Sequence, residues 1–203
     1  MDVGLYGLKP WFVARLSRAE NVLVKRKVTP DALTYAAVAS SCGAAGAIVA
    51  GAVLGVPLLW LLVAPLGLTR LALNALDGSL ARRTGQTSPF GAALNEVCDR
   101  LSDAVVIVAT ATVAPVGLTL AAAVLALLVA VAGMSGAAAG GRRTYAGPMG
   151  KADRVAVLAT GGVIAALAAS PIAFTVALGV VSAGCVVTFF VRLKEVRRDA
   201  GCK

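Results

Sequence analysis

Three long stretches of this 203-residue chain contain no charged residue at all. They cover 32–69, 104–141 and 155–191, and they are 38, 38 and 37 residues long. An apolar helix of roughly 20 residues crosses the hydrocarbon core of a bilayer, so each stretch has room for two crossings and a turn. The sequence therefore predicts an all-α integral membrane protein with six transmembrane helices.

Turn-forming residues divide each uncharged stretch near its middle. Glycine and proline, the usual residues of such turns, lie at 55–57 and 115–117, and a Ser-Pro pair lies at 170–171. Together with the charged connections, these breaks predict helices at about 30–52, 57–84, 88–114, 118–139, 151–169 and 171–193.

The basic residues indicate how these helices are oriented. Lysines and arginines precede the first helix, follow the last, and lie in the connections between helices 2 and 3 and helices 4 and 5. The three opposite turns carry no charge. The positive-inside rule then places both termini and these two connections in the cytoplasm. The same cations suit anionic lipid headgroups, so we expect membrane lipids as partners and no nucleic acid.

Charge and hydropathy divide the chain into three parts. Residues 1–28 form a cytoplasmic juxtamembrane segment, 29–195 the six-helix membrane domain, and 196–203 a basic cytoplasmic tail. Aromatic, aliphatic and basic residues mix over 5–27, which favours an amphipathic helix in the headgroup layer, with an unstructured basic tail as the alternative. Thr29 is predicted to cap the first membrane helix, with Pro30 in its first position.

Polar residues concentrate on the second and third predicted membrane helices. Arg70, Asn74 and Asp77 are spaced i, i+4, i+7 and share one face of a helix. Asn95, Asp99 and Asp103, spaced i, i+4, i+8, share a face of the next helix. Polar groups at membrane depth are costly and usually mark a functional site.

Because these two helices run in opposite directions, their polar residues are expected to form three levels. From the cytoplasmic side inward, the levels are Asp77 with Asn95, Asn74 with Asp99, and Arg70 with Asp103. In the deepest level we predict an ion pair in which Arg70 and Asp103 neutralise each other.

The oxygen atoms of two Asp and two Asn residues are hard ligands that suit Mg²⁺ or Mn²⁺. A divalent cation beside basic residues and a membrane suggests a phosphate or diphosphate substrate. Two alternatives stay open, namely polar packing between helices and a small transporter. Outward of Arg70 and Asp103 the predicted helices lack charge, which argues against an ion pathway.

The spacing of this polar stretch resembles the signature of the CDP-alcohol phosphatidyltransferases, D-x2-D-G-x2-A-R-x8-G-x3-D-x3-D. The residues that fall on it without a gap are Asp77-Gly78, Ala81-Arg82, Gly91 and Asp99. Asn74 stands where the family has its first Asp, and Asn95 where it has its third. Each change keeps an oxygen ligand and removes a negative charge, which indicates a divergent branch.

The resemblance implies transfer of a phosphatidyl or related lipid-phosphate group from a CDP-linked lipid, such as CDP-diacylglycerol, to an alcohol or alcohol-phosphate acceptor, with release of CMP. One or two Mg²⁺ or Mn²⁺ ions would be held by Asn74, Asp77, Asn95 and Asp99. The donor nucleotide would be bound by Asp77, Gly78, Ala81, Arg82 and Gly91. Asp99 is the candidate general base.

The acceptor pocket implied by the resemblance lies at 141–154, where Arg142, Lys151 and Arg154 would bind an acceptor phosphate or serve only as topology signals. Glu96 either turns toward the metal or pairs with Arg100 at i, i+4. The resemblance also implies a homodimer, and the composition suggests a bacterial cytoplasmic membrane with the site facing the cytoplasm. A catalytically inactive CDP-lipid-binding or accessory membrane protein is the second interpretation.

Overall fold

The computed structural model describes residues 17–201 as a bundle of helices. The helices are α1 (Ser17–Lys25), α2 (Pro30–Val53), α3 (Val63–Thr84), α4 (Pro89–Ala109), α5 (Val116–Ala138), α6 (Lys151–Leu167) and α7 (Ile172–Gly201). Two short 3₁₀ segments, Pro57–Leu62 and Thr110–Thr112, precede α3 and follow α4. No β-strand occurs within residues 17–201, which confirms the all-α prediction for this part of the chain.

The six predicted helices correspond in position to α2–α7, with differences at three ends. α3 begins at Val63 rather than at 57, because Pro57–Leu62 form a 3₁₀ segment. α4 ends at Ala109 rather than 114, because the chain tightens into the 3₁₀ segment before Pro115. α7 continues past 193 to Gly201, through lysine, arginine and glutamate residues that are good helix formers. The helix predicted over 5–27 is described only from Ser17, where α1 begins, and its first part lies outside the described residues.

Four helical stretches within residues 17–201 are long and apolar enough to cross a membrane. They are Pro30–Val53, Pro57–Thr84, Val116–Ala138 and Ile172–Asp199. α4 differs from them by its charged residues, and α6, with 17 residues, is only about 25 Å long. Large side chains such as Leu68, Val131 and Phe190 are exposed on the outside of the bundle, as lipid-facing residues are. These features indicate an integral membrane protein.

Aromatic and aliphatic side chains join α2, α5, α6 and α7 in one apolar core. Trp60, from the first 3₁₀ segment, is buried there and donates a hydrogen bond to the carbonyl oxygen of Ile48 at 3.1 Å. Its ring packs edge-on against Phe174, with the ring centroids 5.6 Å apart. A smaller cluster of Leu33, Leu76 and Leu80 joins α2 to α3, and leucine and valine side chains of α1 pack against it.

Helix α2 packs against both α3 and α4 and thereby holds the two polar helices in place. α3 also packs against α6, and α5 and α6 pack against α7. α3 and α4 meet chiefly through their polar side chains, and this meeting point forms the candidate site.

Side-chain caps fix where α2 and α4 begin, as the sequence predicts. The hydroxyl oxygen of Thr29 accepts a hydrogen bond from the amide of Ala32 at 3.3 Å. Ser88 accepts one from the amide of Gly91 at 2.9 Å, and Pro89 occupies the first position of α4. These bonds satisfy backbone donors that have no partner inside the helix.

Replacement of Ser88 with alanine is expected to destabilise the protein by about 1 kcal/mol, because α4 loses its capping acceptor. Thermal unfolding in detergent measures this loss. Ser88→Asp keeps an acceptor at the same position and serves as the matched control. An equal loss of stability in both variants would show that the cap is not the cause.

Candidate active site

The polar faces of α3 and α4 meet at the middle and the deepest of the three levels that the antiparallel arrangement predicts. The side-chain amide of Asn74 donates a hydrogen bond to Oδ1 of Asp99 at 2.8 Å. Deeper in the bundle, Nη2 of Arg70 lies 2.7 Å from Oδ1 of Asp103. The predicted ion pair between Arg70 and Asp103 is therefore confirmed.

Asp103 forms the floor of the site with a second arginine from α6. Arg154 donates to Oδ2 of Asp103 from Nε at 3.2 Å and from Nη2 at 2.5 Å. Arg154 is 2% exposed, and it also donates to the carbonyl oxygen of Met149 at 3.1 Å. Arg70 adds a bond to the backbone oxygen of Asp99 at 3.1 Å. Asp103 thus fixes α3 and α6 against α4 through two buried ion pairs.

Both carboxylate oxygens of Asp99, the buried residue at the middle level, are engaged. Oδ1 accepts from Asn74, and Oδ2 lies 2.7 Å from the ammonium nitrogen of Lys151. Two guanidinium groups lie further away, with Nη2 of Arg70 3.9 Å from Oδ1 and Nη2 of Arg100 3.9 Å from Oδ2. Asp99 is therefore the point at which α3, α4 and α6 converge.

Asp77 lies nearer the end of α3 and is tied to α2. It is buried, and it accepts hydrogen bonds from the hydroxyl of Thr34 at 3.1 Å and from the amide of Gly78 at 2.5 Å. Sequence reasoning missed Thr34. It lies in the VTPDALT entry to α2, but the sequence gives no register between α2 and α3.

The oxygen atoms of this cluster suit a hard divalent cation. Oδ1 of Asn95 is buried and has no hydrogen-bond partner among the described residues. A buried acceptor without a donor is costly unless something else satisfies it, and a cation bound there would do so. Within residues 17–201 no group of three or more His, Cys, Asp or Glu could hold a metal ion. The available donor set is two carboxylates, one of them paired with Lys151, and two amide oxygens, which are the ligand types that Mg²⁺ and Mn²⁺ prefer.

Glu96 pairs with Arg100, which is one of the two alternatives that the sequence left open. Its Oε1 lies 2.8 Å from Nη2 of Arg100, in the i, i+4 ion pair, and its Oε2 lies 2.6 Å from Nη1 of Arg143. The side chain thus connects α4 to the segment between α5 and α6.

The residues expected to bind the donor nucleotide lie near the ends of α3 and α4. A Cβ atom added to Gly78 would lie 3.4 Å from Nη1 of Arg82, whose side chain is exposed. One added to Gly91 would lie 3.1 Å from the Ser88 hydroxyl and 3.6 Å from Oδ1 of Asp31. Small residues here leave room beside the polar cluster, while Ala81 is partly exposed. Their roles in nucleotide binding stay predictions.

The structure does not bring the three expected acceptor-binding residues together. Lys151 contacts Asp99, whereas Arg154 is buried one level deeper against Asp103. Arg142 lies in an open surface depression, which is also lined by Glu195 and Arg198. Of the three, Lys151 is the one placed beside the candidate base. From the sequence, Arg100 was expected only as a possible i, i+4 partner of Glu96, and Arg143 only as a spare basic residue beside the three acceptor-binding candidates.

The chain is similar in sequence to proteins of one known family. A family model described as CDP-alcohol phosphatidyltransferase matches residues 27–191. The chain is 34% identical over 168 residues to the inner membrane protein YnbA of Escherichia coli (strain K12), covering 80% of this chain and 81% of that protein. It is 30% identical over 199 residues to the phosphatidylinositol phosphate synthase of Mycolicibacterium smegmatis, covering 92% of this chain and 86% of that one.

The fold is also similar to that of solved structures. The Mycobacterium tuberculosis phosphatidylinositol phosphate synthase in complex with manganese and citrate superposes with a TM-score of 0.75 at 23% identity, covering 91% of this chain and 90% of that chain. The same enzyme with CDP-DAG bound gives a TM-score of 0.69 at 24% identity, covering 88% of this chain and 92% of that chain. With a family match over most of its length, this chain belongs to the CDP-alcohol phosphatidyltransferase family.

Proposed function

We propose that this protein transfers a phosphatidyl or related lipid-phosphate group from a CDP-linked lipid, such as CDP-diacylglycerol, to a small alcohol or alcohol phosphate, with release of CMP. The observation that carries the proposal is the placement of Asp99. It is buried between α3, α4 and α6, bonded to Asn74 and Lys151, and it stands at the last Asp of the family signature. The relatives named phosphatidylinositol phosphate synthase support the same class of reaction.

In the membrane, we place all six helices α2–α7 across the bilayer, with both termini and the site facing the cytoplasm. The basic residues at the ends of α3 and α7 and in the segment between α5 and α6 support this orientation. α4 carries its charged side chains toward α3 and α6, where the ion pairs offset part of the cost of burying them. A bacterial cytoplasmic membrane and a homodimer stay predictions.

The residues that would hold one Mg²⁺ or Mn²⁺ are Asp77, Asp99 and the amide oxygens of Asn74 and Asn95. The unpartnered Oδ1 of Asn95 and the two carboxylates support this set. When bound, the cation neutralises the diphosphate of the donor and the charge that develops during transfer. The side-chain amide of Asn74 now donates to Asp99, and rotation of that amide would present its oxygen instead.

The protein's own residues supply orientation and a proton acceptor. The acceptor hydroxyl oxygen forms a bond to the lipid-side phosphorus, and the bond from that phosphorus to the bridging oxygen of CMP breaks. Asp99 accepts the hydroxyl proton. Lys151 holds its Oδ2 in place, and Arg70 donates to its backbone oxygen. The site thus favours transfer by positioning and by fixed charges.

A phosphorylated alcohol suits this site better than a neutral one. Lys151 and Arg100 are both directed at Oδ2 of Asp99, so an acceptor whose hydroxyl approaches Asp99 meets two cations. Charged hydrogen bonds from lysine and arginine are the usual means of binding a phosphate. The Mycolicibacterium smegmatis relative, named phosphatidylinositol phosphate synthase, agrees with such an acceptor.

The second candidate function is a CDP-lipid-binding protein without turnover. Asn74 and Asn95 favour it, because two amides replace carboxylates of the family signature and Lys151 neutralises one of the two that remain. Such a protein would bind the donor lipid and release no CMP.

A CMP-release assay distinguishes the two functions. The purified protein in detergent is given CDP-diacylglycerol, a panel of alcohols and alcohol phosphates, and Mg²⁺ or Mn²⁺. We expect release that requires both an acceptor and a divalent cation, and that stops when the cation is chelated and resumes when it is restored. Donor binding without release under any of these conditions would favour the binding protein and reject the enzyme.

A further inference from the structure

Glu96 bridges two arginines that come from different parts of the chain. Arg100 is one turn further along α4, and its Nη2 lies 2.8 Å from Oε1. Arg143 lies in the segment 139–150, which links α5 to α6, and its Nη1 lies 2.6 Å from Oε2. Arg143 also stacks over the ring of Tyr145 at 4.8 Å, which holds the guanidinium in one orientation.

The rest of the linking segment is attached to α5 and α7. The amide of Thr144 donates to the carbonyl oxygen of Gly133 at 3.1 Å, and Arg192 donates to that of Ala146 at 3.0 Å. The amide of Met149 donates to the hydroxyl of Thr188 at 2.8 Å. The ion pair between Glu96 and Arg143 therefore ties a segment anchored on α5 and α7 to α4, which carries the catalytic face.

Glycine is required where this segment passes α7. Gly147 has a φ of 105°, a conformation that side chains strongly disfavour, and an added Cβ would lie 2.9 Å from the Cα of Thr188. The segment then continues directly into Lys151, the residue bonded to Asp99. If the segment 139–150 moves away from α4, the start of α6, including Lys151, is therefore expected to move with it.

A chain of alternating charges connects Glu96 to the candidate base. In order it comprises Lys151, Asp99, Arg100, Glu96 and Arg143. These five groups carry three positive charges and two negative ones, so an additional anion would be attracted to them. Arg143, Arg100 and Glu96 have side-chain exposures of 35%, 19% and 17%. The Glu96 oxygen that faces Arg100 is itself buried, so this ion pair is largely shielded from solvent.

We propose that Glu96 is a positioning residue for the acceptor. It holds the segment 139–150 against α4 through Arg143 and keeps Arg100 directed at Asp99, so that these arginines are already in position when an anionic acceptor binds. Glu96 thus sets the affinity for the acceptor and not that for the CDP-lipid. The effect on acceptor affinity rests on the proposed transfer reaction, whereas the attachment of the segment 139–150 to α4 rests on the ion pairs alone.

The test compares Glu96→Gln, Arg143→Gln and the double variant with the unmodified full chain in detergent. Glu96→Gln is expected to raise KM for the acceptor phosphate by about tenfold, the effect of one charge-assisted hydrogen bond, with KM for the CDP-lipid unchanged. The double variant is expected to resemble the single ones, because both remove the same contact. Arg143→Lys, which keeps the charge, is expected to recover part of the affinity. Glu20→Gln, which removes a surface pair with Arg83 at 3.5 Å, is the matched control.

Hydrogen exchange supplies a readout that does not depend on turnover. Amides in 139–150 are expected to exchange faster in Glu96→Gln and in Arg143→Gln than in the parent or in Glu20→Gln. Unchanged exchange together with an unchanged acceptor KM would overturn the proposal. If the parent chain releases no CMP, the proposed transfer reaction is rejected. The exchange rates alone then show whether the ion pair of Glu96 with Arg143 holds the segment 139–150 against α4. Equal increases in KM for both substrates would also reject the positioning role.

Discussion

Asp99→Asn is expected to lower acceptor-dependent CMP release by about 10²–10⁴-fold, the usual contribution of a general base. The substitution keeps the shape of the side chain and its ability to accept from Asn74, but it removes the proton acceptor and the partner of Lys151. The effect is expected mainly in kcat, because the acceptor hydroxyl can still bind. Initial rates of CMP release at saturating donor and acceptor measure it.

The matched control is Asp199→Asn, which makes the same chemical change at an exposed position of α7. Its CMP release is expected to equal that of the parent. Comparable rates in the parent and in Asp99→Asn would contradict the assignment of Asp99 as the base. The assignment would be supported if Asp99→Asn folds but loses CMP release while Asp199→Asn keeps it.

Asp103→Asn is expected to destabilise the protein by about 3–5 kcal/mol, because it leaves two arginines buried without their shared carboxylate. Arg70 and Arg154 are each 2% exposed, so water does not replace the lost partner. The expected consequence is a large decrease in thermal stability, with the loss of the contacts that hold α3 and α6 against α4. Unfolding of the purified variant in detergent, or its yield of folded protein, measures the effect.

An ion pair at the surface serves as the control for the Asp103→Asn prediction. Arg83 lies 3.5 Å from Glu20 and has 47% side-chain exposure, so Arg83→Gln is expected to cost no more than about 1 kcal/mol. Similar losses of stability in Asp103→Asn and Arg83→Gln would show that the buried ion pairs do not hold the bundle together.

The sequence predicted the features that depend on spacing within one helix or across one hairpin. The helix starts at Pro30 and Pro89 follow from local capping residues. The contacts of Asn74 with Asp99 and of Arg70 with Asp103 follow from two antiparallel helices and the 3.6-residue period. These two contacts could be predicted because they depend only on the register between α3 and α4, which are adjacent in the chain.

The contacts that sequence reasoning missed join elements far apart in the chain. Thr34 and Asp77 are 43 residues apart, and Arg154 and Asp103 are 51 apart. Such contacts depend on how whole helices rotate and tilt against each other, which the apolar pattern of a membrane helix scarcely specifies, because lipid-facing and buried positions are both hydrophobic. For the same reason, Arg154 was expected at the acceptor and lies instead beneath Asp99.

Asn74 and Asn95 distinguish this site from the family signature, which has Asp at both positions. They leave Asp77 and Asp99 as the carboxylates of the signature, and Lys151 lies on one of these. We propose that a site with this charge holds a single divalent cation and takes an acceptor that brings its own negative charge. We therefore relate the altered signature to the acceptor side of the reaction, where Lys151 and Arg100 both face Asp99 and Glu96 pairs with Arg100.

The measurement that tests the central claim most directly is the stoichiometry of products from a donor labelled in its diacylglycerol part. With purified protein, a divalent cation and an acceptor phosphate, the account predicts one labelled lipid carrying the acceptor for each CMP released, and neither product from Asp99→Asn. Release of CMP with labelled phosphatidic acid as the lipid product, or no release with any acceptor while the donor remains bound, would contradict transfer as the function of this protein.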